Sequence, residues 1–336
     1  MSIVFQVPEA LQEIYSFSHG QNVTLRSTID GEDVRRSYSI CAAPYENELR
    51  VAVKKADRGL FSGFANSELK AGDELEVLPP TGKFYTSLHK AHQKKYLAFA
   101  AGSGITPVIS IIKSTLQTEP LSQFTLVYSN RSRSSIIFLE ELEALKNKWL
   151  NRFVFINILS REKTDSPVNS GRIDRDKLHE LGRLIDYKSM DETFICGPEE
   201  MIFLIRDELL NSGIEKKKIH FELFNSLKVA PATAAEVAIK DRQQSRVTIK
   251  LDGRSFDFEL KYDGDRILDA ALKQGADLPY ACKGGVCASC RAKLTEGEVE
   301  MEMNWALEPE EVAAGYILTC QSHPKTERVV IDFDER

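Results

Sequence analysis

Residues 280–290 read YACKGGVCASC, and this stretch decides the fold of the last third of the chain. It contains three cysteines, and a fourth follows in LTCQ, so the spacing is C-x4-C-x2-C-x29-C. Gly284 and Gly285 stand between the first two cysteines, where the lack of side chains lets backbone N–H groups point toward sulfur. The pattern predicts a loop that gathers four thiolates: Cys282, Cys287, Cys290 and Cys320.

Four cysteines at this spacing favour an iron–sulfur centre, because the same spacing occurs in plant-type ferredoxins with a 2Fe-2S cluster. A zinc site would instead favour two separated C-x2–4-C pairs. A disulfide framework is untypical of a cytosolic chain of this length. A Rieske centre needs two histidine ligands, and only His323 lies near these cysteines in the sequence. We therefore predict a 2Fe-2S cluster.

Length and composition indicate a folded protein of two or three domains. The chain has 336 residues, with 42% hydrophobic and 28% charged residues, which is near the globular average. The longest apolar stretch, between Lys95 and Lys113, is shorter than the roughly 20 residues of a membrane span and contains glycine and proline. Residues 1–10 lack the basic start and apolar core of a signal peptide, so we expect a cytoplasmic protein without a membrane anchor.

The formal net charge of −6 is unevenly distributed along the chain. Residues 247–336 hold 11 Lys and Arg against 18 Asp and Glu, a net charge of −7, which leaves +1 for residues 1–246. This asymmetry disfavours nucleic acid as a partner and favours an acidic module that docks on a basic protein face. A solvated acidic surface is the alternative explanation.

The hydrophobic patterns divide the chain into three folding modules. Residues 1–90 carry short alternating stretches separated by turn residues, which predicts an antiparallel sheet or small β-barrel. In residues 91–224 five apolar runs alternate with four amphipathic ones, which predicts a parallel sheet covered by helices. Residues 225–246 are Ala-rich and polar and are interpreted as a linker. In residues 247–336, VTIKL and FDFEL flank Asp-Gly, which predicts a hairpin that opens a small mixed α/β domain.

The second module contains features typical of a nucleotide site. The run AGSGITP follows its first strand, where Gly102 and Gly104 permit a pyrophosphate to approach a helix N-terminus. We expect Pro107 at the first helical position with Thr106 as its cap. Any strand-to-helix turn favours glycine, so this motif alone is weak. The fourth strand ends in the turn Cys196-Gly197-Pro198, at the same edge of the sheet.

The second strand of this module ends VYSNRSR, without an acidic residue to hold a ribose 2′-hydroxyl. Arg131 and Arg133 have the chemistry to bind a 2′-phosphate, so NADP is favoured over NAD. Solvated arginines are the alternative interpretation.

Two short motifs in the first module are consistent with a flavin. Residues 36–39, Arg-Ser-Tyr-Ser, place a cation, an aromatic ring and hydroxyls together at the end of a strand-like run. Residues 59–62, Gly-Leu-Phe-Ser, stand at the start of a helical stretch, where backbone N–H groups bind a pyrophosphate. Taken singly, each motif is explained as well by Tyr38 in the core and by Gly59 in a turn.

Together these motifs have the order found in ferredoxin-NADP reductase-type modules fused to a C-terminal ferredoxin. The chain resembles that superfamily over nearly its whole length. The 280–321 stretch, ending in YILTCQ, and VRRSYSICAAP are most similar to the reductase subunits of ring-1,2-phenylacetyl-CoA epoxidases. Two departures are visible: relatives usually have another strand before VFQVPEALQEIYSF, so the barrel is expected to lack its first strand, and they commonly read Y-G-N-R where residues 128–131 read YSNR.

The resemblance implies a fold and a set of sites. The fold is an antiparallel β-barrel flavin domain, a parallel α/β NADP domain and a β-grasp ferredoxin domain. Ser39 is expected near the flavin N5 and Cys196 beside the nicotinamide, as the catalytic residues. The other cofactor-binding positions that we infer are Arg36, Ser37, Tyr38, Val53, Lys54, Gly59, Leu60, Phe61, Ser62, Gly102, Thr106, Pro107, Asn130, Arg131, Arg133, Gly197, Pro198, Glu222 and Phe224.

These modules predict an oxidoreductase that carries electrons from NADPH through FAD and a 2Fe-2S cluster to a protein acceptor. A nicotinamide donates two electrons as hydride and the cluster accepts one at a time, so a flavin is needed between them. The resemblance implies an oxygenase as acceptor, foremost the di-iron phenylacetyl-CoA epoxidase. The alternatives are a Rieske-type oxygenase, a separate electron carrier and, with less support, a non-enzymatic iron–sulfur redox sensor.

Overall fold

The computed structural model describes residues 1–224 and 244–335. They form two compact units, one of Met1–Val34 with Tyr38–Phe224 and one of Arg35–Ser37 with the residues after the gap. Most of the predicted linker lies outside the described residues. Its last three residues, 244–246, were assigned wrongly, because they already belong to a strand whose pairing runs from Gln244, opposite Lys261.

The first module is a set of antiparallel strands around a small core. Strand β1 (Ser2–Phe5) pairs with β4 (Leu49–Ala52), while β3 (Glu32–Ser39) and β5 (Glu76–Val77) flank β2 (Asn22–Ile29). A bridge between Ile40 and Val51 joins the two groups. Apolar residues of the strands and of the single helix, among them Leu25 and Phe61, form the core. That helix is α1 (Leu60–Ser67). That the barrel lacks its first strand stays a prediction.

The second module is the predicted parallel sheet between helices. Its elements are β6 (Lys95–Ala101), α2 (Ile105–Thr118), β7 (Gln123–Asn130), α3 (Leu139–Lys148), β8 (Phe153–Leu159), α4 (Arg175–Leu181), β9 (Glu192–Cys196), α5 (Glu199–Asn211) and β10 (Ile219–Glu222). The strand order is β10-β9-β6-β7-β8, and every pairing is parallel. The chain leaves β6 toward β7 and later returns to β9 on the other side. This reversal opens a crevice at the carboxyl ends of β6 and β9, where open α/β sheets bind ligands.

The third module is a mixed sheet with two short helices. Its elements are β11 (Gln244–Leu251), β12 (Arg254–Lys261), α6 (Ile267–Lys273), β13 (Arg291–Glu296), β14 (Val299–Met301), α7 (Pro309–Ala313), β15 (Tyr316–Leu318), β16 (Ser322–Pro324) and β17 (Arg328–Asp332). The main sheet has the order β12-β11-β17-β13-β15, in which only β11 and β17 run parallel. Asp252 and Gly253, both at positive φ, make the predicted hairpin turn between β11 and β12.

The predicted fold class is confirmed in all three modules. Within residues 1–224 and 244–335, no helix combines the length and the apolar character needed to cross a membrane.

Candidate redox site

The nucleotide loop follows β6 as a 3-10 turn, Gly102–Gly104, that continues directly into α2. Gly102 adopts a φ of 53°, which disfavours a side chain, and its carbonyl accepts a hydrogen bond of 2.8 Å from the Tyr128 hydroxyl. A Cβ on Gly104 would lie 2.1 Å from the carbonyl oxygen of Cys196. The loops after β6 and β9 are therefore in backbone contact, and only glycine fits at position 104.

The predicted start of α2 was wrong by two residues. The helix begins at Ile105 with Gly104 as its N-cap, so Thr106 does not cap it. The hydroxyl of Thr106 instead donates to the Ser103 carbonyl at 3.0 Å, within the preceding turn. Pro107 is the third helical residue, where its missing N–H costs no hydrogen bond because that N–H has no acceptor within the helix. The sequence pattern did not reveal the 3-10 turn Gly102–Gly104, which leads directly into α2 and lets the helix begin two residues earlier than predicted.

We expect Gly104→Ala to weaken nucleotide binding at least roughly tenfold, because its Cβ forces α2 away from the β9 turn by a fraction of an ångström or more. Gly63→Ala in α1 is the matched control, since nothing lies within 4 Å of its added Cβ. That change should preserve binding and leave the melting temperature equal or higher. Titration with NADP⁺ and thermal melting of both variants measure the difference, and equal affinities would show that the two loops do not approach so closely.

The carboxyl end of β7 brings polar groups to the edge of the sheet at which the sequence predicts nucleotide binding. Asn130 is buried, and its side-chain amide approaches the Tyr128 hydroxyl, yet neither its nitrogen nor its oxygen completes a hydrogen bond of normal geometry among the described residues. Such an unfilled amide fits a site that a nucleotide completes. Arg131 and Arg133 are both exposed, but the guanidinium of Arg133 already contacts Glu143 at 3.1 Å. Arg131, which has no such ion pair among the described residues, is therefore the better candidate for a 2′-phosphate.

The two predicted catalytic residues and Glu222 lie close together. The hydroxyl of Ser39, at the end of β3, donates to the Glu222 carboxylate at the end of β10 over 3.1 Å. Cys196, at the end of β9, is fully buried, and both burial and the nearby Glu222 raise the pKa of its thiol. At neutral pH the thiol is therefore protonated and uncharged. Phe224 follows two residues after Glu222 and is 38% exposed.

The flavin motifs pack against each other in the first module. The ring of Tyr38 lies 5.5 Å from that of Phe61, and α1 begins at Leu60 with Gly59 as its N-cap. The Ser62 hydroxyl accepts from the Ala56 backbone N–H and donates to the Gly59 carbonyl, so it holds the turn before α1.

The remaining predicted positions of this module differ in exposure. Arg36 is exposed and Val53 is buried in the core. Lys54 stands out, because its ammonium is 3.7 Å from the Cβ position of Gly102. A cation of the flavin module thus reaches the nucleotide loop, a placement that no local sequence pattern indicates.

The four cysteines of the third module come together as two pairs. Cys282 donates to Cys287 and lowers the pKa of that thiol to about 6, and Cys290 lowers the pKa of Cys320 in the same way. No three His, Cys, Asp or Glu side chains of the described chain surround a single metal-ion position. Two thiol pairs suit a centre of two irons, each with two thiolates, better than one zinc ion.

The loop around these thiols has the backbone geometry predicted from its glycines. The Gly284 N–H donates to the Cys282 sulfur at 3.3 Å, and the Gly285 N–H points at Cys320. Gly285 has a φ of 75°, and a Cβ there would lie 2.9 Å from the Met303 carbonyl oxygen. N–H groups directed at sulfur stabilise thiolate charge, so the donor set and its surroundings fit a 2Fe-2S cluster.

Comparison with known proteins assigns the three modules. Family models match the oxidoreductase FAD-binding domain over residues 1–85, the oxidoreductase NAD-binding domain over residues 99–207 and the 2Fe-2S iron-sulfur cluster binding domain over residues 249–325. The predicted flavin, nicotinamide nucleotide and 2Fe-2S cofactors are confirmed at this level.

Two curated relatives and one solved structure align with almost the whole chain. A subunit of the 1,2-phenylacetyl-CoA epoxidase of Escherichia coli K12 is 47% identical, over 100% of this chain and 94% of the relative. The 3-ketosteroid-9-alpha-monooxygenase ferredoxin reductase component of Rhodococcus rhodochrous is 37% identical, over 99% and 92%. The solved structure of phthalate dioxygenase reductase, described as modular for electron transfer from pyridine nucleotides to [2Fe-2S], matches with a TM-score of 0.55 and 25% identity, over 95% of this chain and 89% of that chain.

The three domains follow one another in the predicted order, and the relatives align with nearly the full length of the chain. The same chain holds the paired thiols and the contact of Ser39 with Glu222. The chain belongs to the family of oxygenase reductase components that join FAD-binding, NAD-binding and 2Fe-2S domains.

Proposed function

We propose that this reductase takes electrons from NADPH and delivers them to an oxygenase that epoxidises phenylacetyl-CoA. The observation that carries the proposal is the 47% identity to the phenylacetyl-CoA epoxidase relative of Escherichia coli along the entire chain. When bound, FAD and the 2Fe-2S cluster convert the two-electron chemistry of the nicotinamide into single-electron delivery. The residues of this chain bind, orient and shield these groups.

Each group of residues has a role in this proposal. Gly102 and the N-terminus of α2 face the nucleotide pyrophosphate, with Lys54 above the loop. Ser39, Cys196 and Glu222 line the place where the nicotinamide meets the flavin. The four cysteines of the third module ligate the cluster, which the two thiol pairs and the inward N–H groups support.

The test is reconstitution with purified oxygenases. The NADPH-reduced protein is mixed with a phenylacetyl-CoA epoxidase, with a 3-ketosteroid 9α-monooxygenase and with a Rieske oxygenase, and product formation is measured for each. We expect turnover with the epoxidase at least roughly tenfold above the others, which corresponds to about 1.4 kcal/mol of discrimination. Faster turnover with the ketosteroid enzyme, which the 37% relative makes the second candidate, would transfer the function to that partner.

Nucleotide choice gives a further prediction. Each charge-assisted hydrogen bond to a 2′-phosphate contributes about 1.5 to 3 kcal/mol, so Arg131→Ala should lower the preference for NADPH over NADH roughly ten- to a hundredfold. Arg133→Ala is the control and should have a smaller effect, since Glu143 already pairs with that guanidinium. Steady-state kinetics with both nucleotides decide the point, and an unchanged ratio in Arg131→Ala would remove this residue from the site.

The negative charge of the third module leads to a prediction about how this protein binds its oxygenase. With −7 over residues 247–336, the module should meet a basic patch of the oxygenase, and exposed charges mainly accelerate encounter. Electron delivery should therefore slow as salt shortens the screening length to about 8 Å near physiological strength, while ferricyanide reduction at saturating NADPH changes little. Stopped-flow rates across a salt series measure both. If electron transfer is limited by encounter and its rate does not change with salt, that result would argue against electrostatic docking.

A further inference from the structure

Lys113 is a nearly fully buried cation between two modules of the first unit. It lies in the middle of α2, its side chain is 2% exposed, and its ammonium contacts Glu46 at 2.6 Å and Glu141 at 2.9 Å. Glu46 belongs to a 3-10 turn of the flavin module, Pro44–Glu46, whereas Glu141 lies on α3 of the nucleotide module. One lysine is thus shared by carboxylates from the two modules that bring flavin and nicotinamide together.

Arg50 extends this arrangement from the flavin side. Its guanidinium contacts Glu141 at 3.3 Å and Glu48 at 2.9 Å, so a second cation also crosses to α3. We name Glu46, Glu48, Arg50, Lys113 and Glu141 the ion cluster. Its net charge is −1, and its side chains are between 2% and 34% exposed.

The ion cluster lies next to the backbone that carries Ser39. The Ser110 hydroxyl, on the same helix as Lys113, donates to the Ala42 carbonyl at 2.6 Å. The following residue, Ala43, donates its N–H to the Glu46 carboxylate at 2.6 Å, at the oxygen that Lys113 contacts. Residues 39–43 are therefore attached to α2 by side chains three residues apart on one helix face.

The other end of the same helix forms the nucleotide loop. α2 begins at Ile105, immediately after Gly102–Gly104, and Lys113 lies about 12 Å further along at 1.5 Å per residue. A rigid helix therefore links the pyrophosphate loop to the strand end that holds Ser39. The contact between Ser39 and Glu222 is a further connection between these modules near the reacting groups.

We propose that Lys113 is a positioning residue, which fixes the flavin module against the nucleotide module so that nicotinamide and flavin meet at reactive distance. The proposal rests on the function proposed above. An apolar contact tolerates sliding, whereas a buried ammonium that slides loses its contacts of 2.6 and 2.9 Å with the two carboxylates and is itself left unpaired, so the energy rises steeply with displacement. Hydride transfer needs reacting atoms about 3 to 3.5 Å apart, and a misplacement of about 1 Å costs roughly a hundredfold in rate.

The experiment compares Lys113→Met with Lys177→Met in the holoenzyme. Lys177 is also largely buried, with 10% side-chain exposure, but its partners Glu180 and the Pro167 carbonyl lie within the nucleotide module. Both variants lose a buried ammonium, and only the first loses a bond between modules. Flavin reduction by NADPH is followed in anaerobic single turnovers, together with FAD and iron content, thermal melting and NADP⁺ affinity.

We expect Lys113→Met to retain FAD, the cluster and NADP⁺ affinity within a factor of about three while its limiting rate of flavin reduction falls at least roughly tenfold. Lys177→Met should reduce at the wild-type rate even where its melting temperature drops. Lys113→Arg should recover part of the rate. A wild-type rate in Lys113→Met, or an equal loss in both methionine variants, would overturn the proposal.

A double variant separates positioning from stability. Lys113→Met combined with Glu46→Gln keeps the net charge of the ion cluster at −1. It also removes the carboxylate of the flavin module that has lost its ammonium partner. Its melting temperature should return toward wild type while flavin reduction stays slow, and a recovery of both would show a merely stabilising role. If Lys113→Met does not fold, Glu46→Gln and Glu141→Gln provide the same test. We expect each to slow flavin reduction at least roughly threefold, and an unchanged rate would overturn the proposal. Wild-type protein that NADPH does not reduce would refute the proposed function instead.

Discussion

Replacement of Cys290 by serine is expected to abolish electron delivery to the oxygenase while NADPH-driven ferricyanide reduction continues near the wild-type rate. Cys290 is 2% exposed and pairs with Cys320, so its loss breaks one of the two thiol pairs. The predicted nucleotide positions, and all predicted flavin positions but Arg36 and Ser37, belong to the other unit of the chain, and a small oxidant takes electrons from flavin directly. Oxygenase turnover and ferricyanide reduction are measured on the same preparation, with iron, sulfide and FAD content.

Cys41→Ser is the matched control for this change. Cys41 is equally buried but lies in the flavin module, where its thiol donates to the Arg50 carbonyl, a bond that serine also makes. Both activities should survive in the control. Parallel loss of both activities in Cys290→Ser with FAD retained would contradict the modular path, and zinc without acid-labile sulfide in the wild type would contradict the cluster itself.

Removal of the Ser39 hydroxyl is expected to slow flavin reduction by NADPH roughly a hundredfold, the cost of about 1 Å of misplacement at a reacting centre. The hydroxyl joins the flavin module to Glu222, at the place where we propose that the two reactants meet. Ser39→Ala, Glu222→Gln and the double variant form a cycle, and single-turnover rates give the coupling. Since the two side chains bond each other, we expect the double variant to lose less than the product of the single losses.

Ser114→Ala is the control for the serine substitution. Ser114 is buried on α2, and its hydroxyl has no hydrogen-bond partner among the described residues, so its removal should leave the rate unchanged. Independent, multiplicative losses in Ser39→Ala and Glu222→Gln would mean that the bond between them does not matter for the reaction.

Local sequence patterns were sufficient to predict those features that depend on residues close together in the sequence. The alternation of apolar and amphipathic runs in residues 91–224 predicted a parallel sheet, because strand and helix periodicities differ and each is set within one element. The Asp252-Gly253 turn was predictable because few residues adopt its positive φ values. Cysteine spacing likewise predicted the four thiolates, because the C-x4-C-x2-C-x29-C pattern is that of plant-type 2Fe-2S ferredoxins.

Element boundaries and distant contacts required the tertiary structure. The start of α2 at Ile105 depends on a 3-10 turn packed against Cys196, which is far away in the sequence and leaves no local trace. Strand pairing with β12 likewise converted residues 244–246 from predicted linker to strand. In both places a neighbour distant in sequence outweighed the local preference.

The sequence by itself determined the three modules, their order, the four thiolates and the glycines of the nucleotide loop, because spacing and side-chain size impose these locally. Only the tertiary structure decided which of the polar residues meet. It joined Ser39 to Glu222, brought Lys54 over Gly102 and enclosed Lys113 between Glu46 and Glu141. Such pairs are separated by tens to hundreds of residues, and a charged side chain has no periodicity that names its partner, so chain topology and burial alone select it.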